Sequence, residues 1–286
     1  MKVIKSFGGL GNQMFQYAFY LYMKKNNDDV LFDISDFTIH KYHQGYELAR
    51  IFGIKADEID RATVKSLSVN QESKIIRAIH RFLGLRVCRD AEVYEIKGVL
   101  EVPFHKIKAD VVMRGTWQNS KYIIPIDDAV RKSFCFPELD ARNKEILKNL
   151  KKYTTVSLHV RRGDYLNTST YTGICTKDYY EKALTYFQNI KFEKPLKVIV
   201  FSDDIPWCRR EYASVNCEFI DWNNGKNSYR DMQLMSLCDH NIIANSSFSW
   251  WGAYLNNNKE KVVIMPKIWE KGIDGNMLIF DSCITM

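Results

Sequence analysis

Residues 154–166 read TTVSLHVRRGDYL, and the reading of this stretch decides the fold. Val156, Leu158 and Val160 sit in a β-branched apolar run that predicts a buried strand. The run passes without a polar spacer into His159, Arg161, Arg162, Gly163 and Asp164. The glycine lets the chain turn where the strand ends. Each guanidinium presents a fixed fork of N–H donors and stays charged at any working pH, so an adjacent pair suits a diphosphate. Two arginines just past a strand are by themselves ordinary surface charge. The whole H-x-R-R-G-D-Y string at a strand end favours an anion site.

Downstream of this strand the rhythm is regular. Apolar strands are predicted at residues 155–160, 197–201, 217–221, 241–244 and 262–265, with helical patterns at 176–188, 205–213, 229–238 and 248–256 between them. Strands separated by helix-length crossovers mean a parallel sheet covered by helices on both faces. In such sheets ligands bind beyond the carboxyl ends of the strands. Those ends carry polar residues: Arg161 and Arg162; Ser202, Asp203 and Asp204; Asp221 and Asn223; Asn245, Ser246 and Ser247 before Phe248. Strand-end carboxylates suit ribose hydroxyls or the donor edge of guanine, and free N–H groups at a helix start accept phosphate. Each has a plainer role. Asp203 or Asp204 caps the following helix, Ser246 and Ser247 form an N-cap, and Trp250 and Trp251 fill the core.

Upstream, a strand at 2–7 leads through Gly8, Gly9, Leu10, Gly11, Asn12 and Gln13 into a helix at 13–25, with Met14, Tyr17, Ala18, Leu21 and Tyr22 on one buried face. Strand, glycine loop and helix bring backbone N–H groups close to a ligand, although the third glycine of a dinucleotide fingerprint falls at Met14. Asn12 adds both a donor and an acceptor at the helix start. A second strand at 30–34 brings Asp33, with Asp36 close behind. Residues 37–70 are polar and broken. Residues 74–89 form a basic amphipathic pattern, read first as a solvated surface helix and second as one touching anionic lipid. A strand at 111–117 leads into GTWQNSKYI, and 127–152 reads as one or two helices around Pro137.

With 286 residues, 46% hydrophobic and 26% charged, the chain reads as a globular protein of one or two domains. No apolar run approaches the ~20 residues of a membrane span, and the first residues lack a signal-peptide core. Seven scattered cysteines without a C-x-x-C pair predict free thiols in a reducing compartment, so a cytoplasmic location is expected, with at most peripheral membrane contact. The formal charge of +7 favours anionic partners. Nucleic acid is set aside, because no basic stripe interleaved with aromatics accompanies the charge. There is no D-x-D and no phosphate-loop G-x-x-x-x-G-K-[ST], which speaks against a kinase and against a bound divalent metal or other cofactor.

FGGLGNQMFQYA, HVRRGDY, FSDDIPWC and NSSFSWWGAYLN, in this order across residues 7–257, resemble the bacterial α-1,2-fucosyltransferases. The resemblance implies a GT-B enzyme of two Rossmann-like domains with parallel sheets facing a cleft. Residues 1–152 would be the acceptor side and 153–286 the GDP-fucose side. It implies metal-independent transfer of L-fucose, with inversion, from GDP-β-L-fucose to the 2-hydroxyl of a galactose-terminated oligosaccharide or glycolipid. Arg161 matches the arginine at the β-phosphate, with His159 and Arg162 flanking it. Asn12, beside Gly11, matches the asparagine that approaches the diphosphate and the acceptor hydroxyl. Asp203 and Asp204 match the donor-domain S-D-D, and Asn245, Ser246, Ser247 and Phe248 the phosphate-side helix start. Asp164, His159 and Asp33 remain open as the proton acceptor, alongside a departing phosphate oxygen. A fucosyltransferase of other regiochemistry (α-1,6 or protein O-linked) and a non-catalytic GDP-sugar-binding module are the alternatives.

Overall fold

The computed structural model describes residues 1–26, 29–40, 43–57, 59, 92–96, 99–100, 107 and 110–286. Two compact units make up the chain, Met1–Phe134 and Cys135–Met286. The basic pattern at 74–89 lies outside the described residues.

In the first unit, β1 (Lys2–Lys5), β2 (Val30–Asp33), β3 (Glu92–Ile96), β4 (Val99–Leu100) and β5 (Val111–Arg114) form one sheet among the described residues, in the order β2-β1-β5-β3-β4. All neighbours are parallel except the β3–β4 pair. Helix Leu10–Asn26 starts three residues earlier than its periodicity suggested, because Gly11 and Asn12 are already helical. Its buried face is also different and wider, carried by Met14, Phe15, Ala18, Phe19 and Met23, while Tyr17, Leu21 and Tyr22 stay partly exposed. Phe19 stacks on Trp117 with ring centroids 4.0 Å apart. That contact ends the strand read at 111–117: Trp117 takes a left-handed φ of +55°, and pairing stops at Arg114.

The second unit holds β6 (Thr154–Val160), β7 (Leu196–Ser202), β8 (Cys217–Ile220), β9 (His240–Ile242), β10 (Val263–Met265), a short antiparallel ribbon of β11 (Ile268–Glu270) with β12 (Ile273–Asp274), and β13 (Cys283–Thr285). Its sheet runs β13-β10-β9-β6-β7-β8, parallel at every step. The chain builds outward from β6 in one direction through β7 and β8, then returns to build the other way through β9, β10 and β13. The order reverses between β6 and β9, which makes a topological switch point beside the end of β6.

Alternation along β6 sends its residues to two faces. Val156, Leu158 and Val160 are buried against Tyr180, Ala183 and Phe187 of helix Lys177–Gln188. His159 goes to the other face, where its ring lies 6.0 Å from that of Phe248. Burying one large apolar side chain contributes about 1.5–3 kcal/mol, so these layers fix β6 firmly. Helix Ala141–Leu150 belongs to this unit, because Leu150 packs with Ile199 and Phe201. The division therefore falls at Phe134/Cys135, ahead of the 152/153 boundary expected from the sequence. Trp250 and Trp251 are fully buried core residues, and the described cysteines are free thiols.

Candidate active site

The loops after β6, β7, β8 and β9 bring the donor-side residues expected from the sequence to the carboxyl edge of the second sheet. Arg161 follows β6 and holds two carboxylates at once: its NH2 lies 2.7 Å from Asp164 Oδ1 and its NH1 3.1 Å from Asp203 Oδ2. The Arg162 backbone N–H donates to Asp203 Oδ1 at 2.9 Å, and its Nε donates to Asp204 Oδ2 at 3.1 Å. The Arg162 guanidinium also lies over the Trp207 ring, 4.0 Å from its centre. Gly163 is required by this packing, since a Cβ there would come within 2.6 Å of Asp203 Oδ2. Asp204 caps helix Ile205–Glu211 through the Trp207 N–H, as its plainer reading had it. The S-D-D motif thus positions the arginine pair. Two guanidiniums stand against three carboxylates, so the cluster's own carboxylates outnumber its guanidiniums by one.

Asp164 is the most open member, its side chain 60% exposed against 24% for Asp203. Tyr165, which the sequence reading left without a role, packs beneath Arg161, donates its hydroxyl to the Asn245 carbonyl at 3.1 Å, and stacks on Tyr171 at 4.4 Å. It ties the β6 loop to the β9 loop across the switch point. Asn245 is buried and donates its amide to the Trp269 carbonyl at 3.1 Å. Ser246 stands at the N-cap of helix Ser247–Tyr254 without a side-chain cap bond. Its first turn therefore lacks the serine cap that the plainer reading supposed.

His159 is buried beneath Arg161 and Phe248, and its Nδ1 has no hydrogen-bond partner. Burial first, and the Arg161 charge second, push its pKa down to about 3. It is a neutral imidazole at working pH, with little affinity for a proton. Farther along the edge, Asp221 pairs with Arg209 at 2.8 Å, and Asn223 donates to half-buried Asp231 at 2.8 Å. Burial raises the Asp231 pKa to about 7 against the opposing Asn223 hydrogen bond.

Asn12 and Gly11 lie in the first unit, at the start of helix Leu10–Asn26. Asn12 Oδ1 accepts from Gln118 Nε2 at 2.8 Å. Gly8 has φ +79°, and a Cβ there would stand 2.9 Å from Asn12 Nδ2, so this turn needs glycine twice over. Asp33 is buried and paired with Lys5 at 3.3 Å, while accepting two hydrogen bonds from Ser35. No group of three or more His, Cys, Asp or Glu that could hold a metal ion occurs among the described residues.

The family profile described as "Glycosyl transferase family 11" matches residues 61–272. The chain belongs to glycosyl transferase family 11. Its arginine loop, S-D-D motif and Asn245–Phe248 segment all fall within the matched part of this family 11 chain. It is 32% identical to an alpha-1,2-colitosyltransferase of Escherichia coli, covering 96% of this chain and 94% of the relative. It is also 32% identical to the O-antigen biosynthesis glycosyltransferase WbnK of Escherichia coli, over 98% of each chain. A segment covering 36% of the chain is 36% identical to a galactoside 2-alpha-L-fucosyltransferase of Bos taurus, of which it spans 28%. In fold, the family 11 chain matches the fucosyltransferase NodZ from Bradyrhizobium with a TM-score of 0.50 at 14% identity, over 88% of this chain and 92% of that one. NodZ has been co-crystallised with GDP. The α/β fold of two parallel-sheet units is that of a GT-B glycosyltransferase. Among the described residues no helix is long and apolar enough to cross a membrane.

Proposed function

We propose that this family 11 enzyme transfers L-fucose, with inversion, from GDP-β-L-fucose to the 2-hydroxyl of a terminal β-galactoside. The observation that carries the reading is Arg161. Its guanidinium is oriented by two carboxylates at the end of the central strand, beside the switch point. As the glycosidic bond breaks, negative charge grows on the β-phosphate oxygens. A preoriented guanidinium there stabilises the transition state more than the ground state. Because carboxylates already occupy both guanidiniums and outnumber them, the incoming diphosphate replaces one carboxylate, and open Asp164 is the one it displaces. Asp203 remains to aim Arg161 and Arg162. Ser246, Ser247 and Phe248 line the phosphate side through the helix start. With no D-x-D in the sequence, the arginines rather than a divalent cation neutralise the leaving group.

A galactoside acceptor and the α-1,2 linkage are supported by the names of the bovine and Escherichia coli relatives. The second reading, a colitosyl donor on the same site, has the Escherichia coli relative behind it. The domain roles follow the same proposal: the second unit takes the nucleotide sugar, and the Asn12 loop of the first serves the acceptor. The test incubates the enzyme with GDP-fucose and a panel of β-galactosides, measures GDP release with and without acceptor, and determines the product linkage by NMR. Acceptor-stimulated GDP release with an α-1,2 product is expected. An α-1,6 or protein-linked product replaces the regiochemistry, and nucleotide binding without turnover leaves a non-catalytic module.

A further inference from the structure

The strand-end carboxylates that suited the donor edge of guanine are already engaged. Asp203 and Asp204 hold the arginine pair, and exposed Asp221 pairs with Arg209. Asp231, in the first turn of helix Tyr229–Met235, is different. Its Oδ1 accepts the Asn223 amide at 2.8 Å, whereas its Oδ2 accepts no hydrogen bond among the described residues and is open to solvent. Among the described residues no backbone N–H of the helix start binds this carboxylate, so it does not act as a helix cap. No cation pairs with it there either, since neighbouring Arg230 is spent on the Pro137 and Glu138 carbonyls and on Gln233 Oε1.

The carboxylate is nonetheless fixed from behind. Buried Asn223 exchanges hydrogen bonds with buried Asn143: Asn143 Nδ2 donates to Asn223 Oδ1 at 2.9 Å, and Asn223 Nδ2 donates to Asn143 Oδ1 at 3.2 Å. Asn143 also donates to Asp140 Oδ2 at 2.8 Å and accepts the Trp222 indole N–H at 3.0 Å. Both N–H groups of each amide are used, so neither side chain can turn without leaving a buried polar group unpaired. Asp231 ends this preorganised chain, with one oxygen held outward and short of donors.

Its place on the sheet connects it to the arginine loop. Arg161 follows β6, Asp203 follows β7 and Asn223 lies in the loop after β8, and these three strands are neighbours. Neighbouring strands lie ~4.8 Å apart, so the Asn223 loop stands ~10 Å along the carboxyl edge from the arginine loop. In a nucleoside diphosphate, the ribose and α-phosphate hold the base and the β-phosphate a comparable length apart. We propose that Asp231 reads the base of the donor nucleotide, its carboxylate accepting the N1–H and 2-amino N–H of guanine. The assignment rests on the GDP-sugar reading above and adds to it the residue that selects the base. Guanine presents those donors side by side, and adenine, cytosine and uracil do not. A base without them leaves the carboxylate unpaired in a half-buried place, and that cost rejects it.

Calorimetric titration with GDP and with inosine diphosphate, which lacks the 2-amino group, tests the assignment on the full chain, Asp231→Asn and Asp231→Ala. The unsubstituted chain should bind GDP about tenfold or more tighter than inosine diphosphate, the worth of one hydrogen bond to a charged acceptor. Asp231→Asn keeps an oxygen for the Asn223 amide and puts N–H donors where Oδ2 stood, so the preference should shrink to within about threefold. A merely structural role weakens both nucleotides alike and leaves their ratio unchanged, which overturns the assignment. Equal binding of the two by the unsubstituted chain overturns it as well. Because the asparagine variant is nearly isosteric, a folding defect in Asp231→Ala does not decide the result. Failure of the unsubstituted chain to bind GDP overturns the GDP-sugar reading and this assignment together, whereas GDP binding with an unchanged ratio in Asp231→Asn overturns only Asp231.

Discussion

Arg161 is one residue with two restraints, and its neighbours show which restraint matters to chemistry. Removing the guanidinium takes away the charge at the leaving group without opening the core, since Arg161 lies beyond the buried part of β6. Arg161→Ala should lower turnover by about a hundredfold or more, in line with loss of one preorganised donor, with the thermal midpoint little changed. Arg161→Lys should not restore it, because an ammonium lacks the fork that meets Asp203 and a phosphate together. Asp203→Asn probes the aiming. Its neutral amide still accepts the Arg162 N–H but no longer pairs with the Arg161 charge, so turnover should fall while GDP still binds. Full turnover in that variant would remove Asp203 from the positioning role. Steady-state kinetics with GDP titration separates these outcomes.

At the scale of elements, two ionisable groups in the second unit, buried His159 and half-buried Asp231, give its stability opposite pH slopes. On the central strand, His159 has its pKa depressed to about 3, so between the ordinary imidazole range and about pH 3 the unfolded chain binds the extra proton. Its contribution destabilises the fold progressively as pH falls through that window, by up to about 1.4 kcal/mol per unit. Helix Tyr229–Met235 carries Asp231, raised to about 7, which behaves in the opposite sense. There the folded state binds the extra proton between the ordinary carboxylate range and about pH 7, so stability is lost as pH rises through the window. Asp231→Asn keeps an acceptor for the Asn223 amide and removes the buried charge. It should gain stability relative to the parent at pH 8 and lose that advantage at pH 4. Denaturant unfolding of parent, His159→Gln and Asp231→Asn at a series of pH values measures both slopes. A parallel pair of curves for Asp231→Asn and the parent would contradict the burial argument.

The whole molecule divides into units with separate sheets, and the second has its own apolar layers on both faces. A fragment of residues 135–286 should therefore fold cooperatively and bind GDP with a Kd within about tenfold of the full chain, since each donor-side group named above lies inside it. Calorimetric titration checks this, and a folded fragment blind to GDP would move the nucleotide site elsewhere. A fragment starting at residue 153, the boundary expected from the sequence, lacks helix Ala141–Leu150 and its Leu150 contact, and should fold less stably. The sequence by itself determined the parallel α/β character of the second unit, the positions of β6 to β10 to within a residue or two though not the edge strand β13, and the anion-suited string at 161–164. Those follow from local periodicity and residue chemistry, which a linear reading sees. It also determined the family, through motifs that lie within single loops. Only the tertiary structure decided that Asp203 and Asp204 hold the arginines, that Tyr165 bridges two loops, and that His159 is buried and neutral. Each of these depends on contacts between residues about forty or more apart in sequence, or on burial from every side, and both quantities arise only when the sheet order is set.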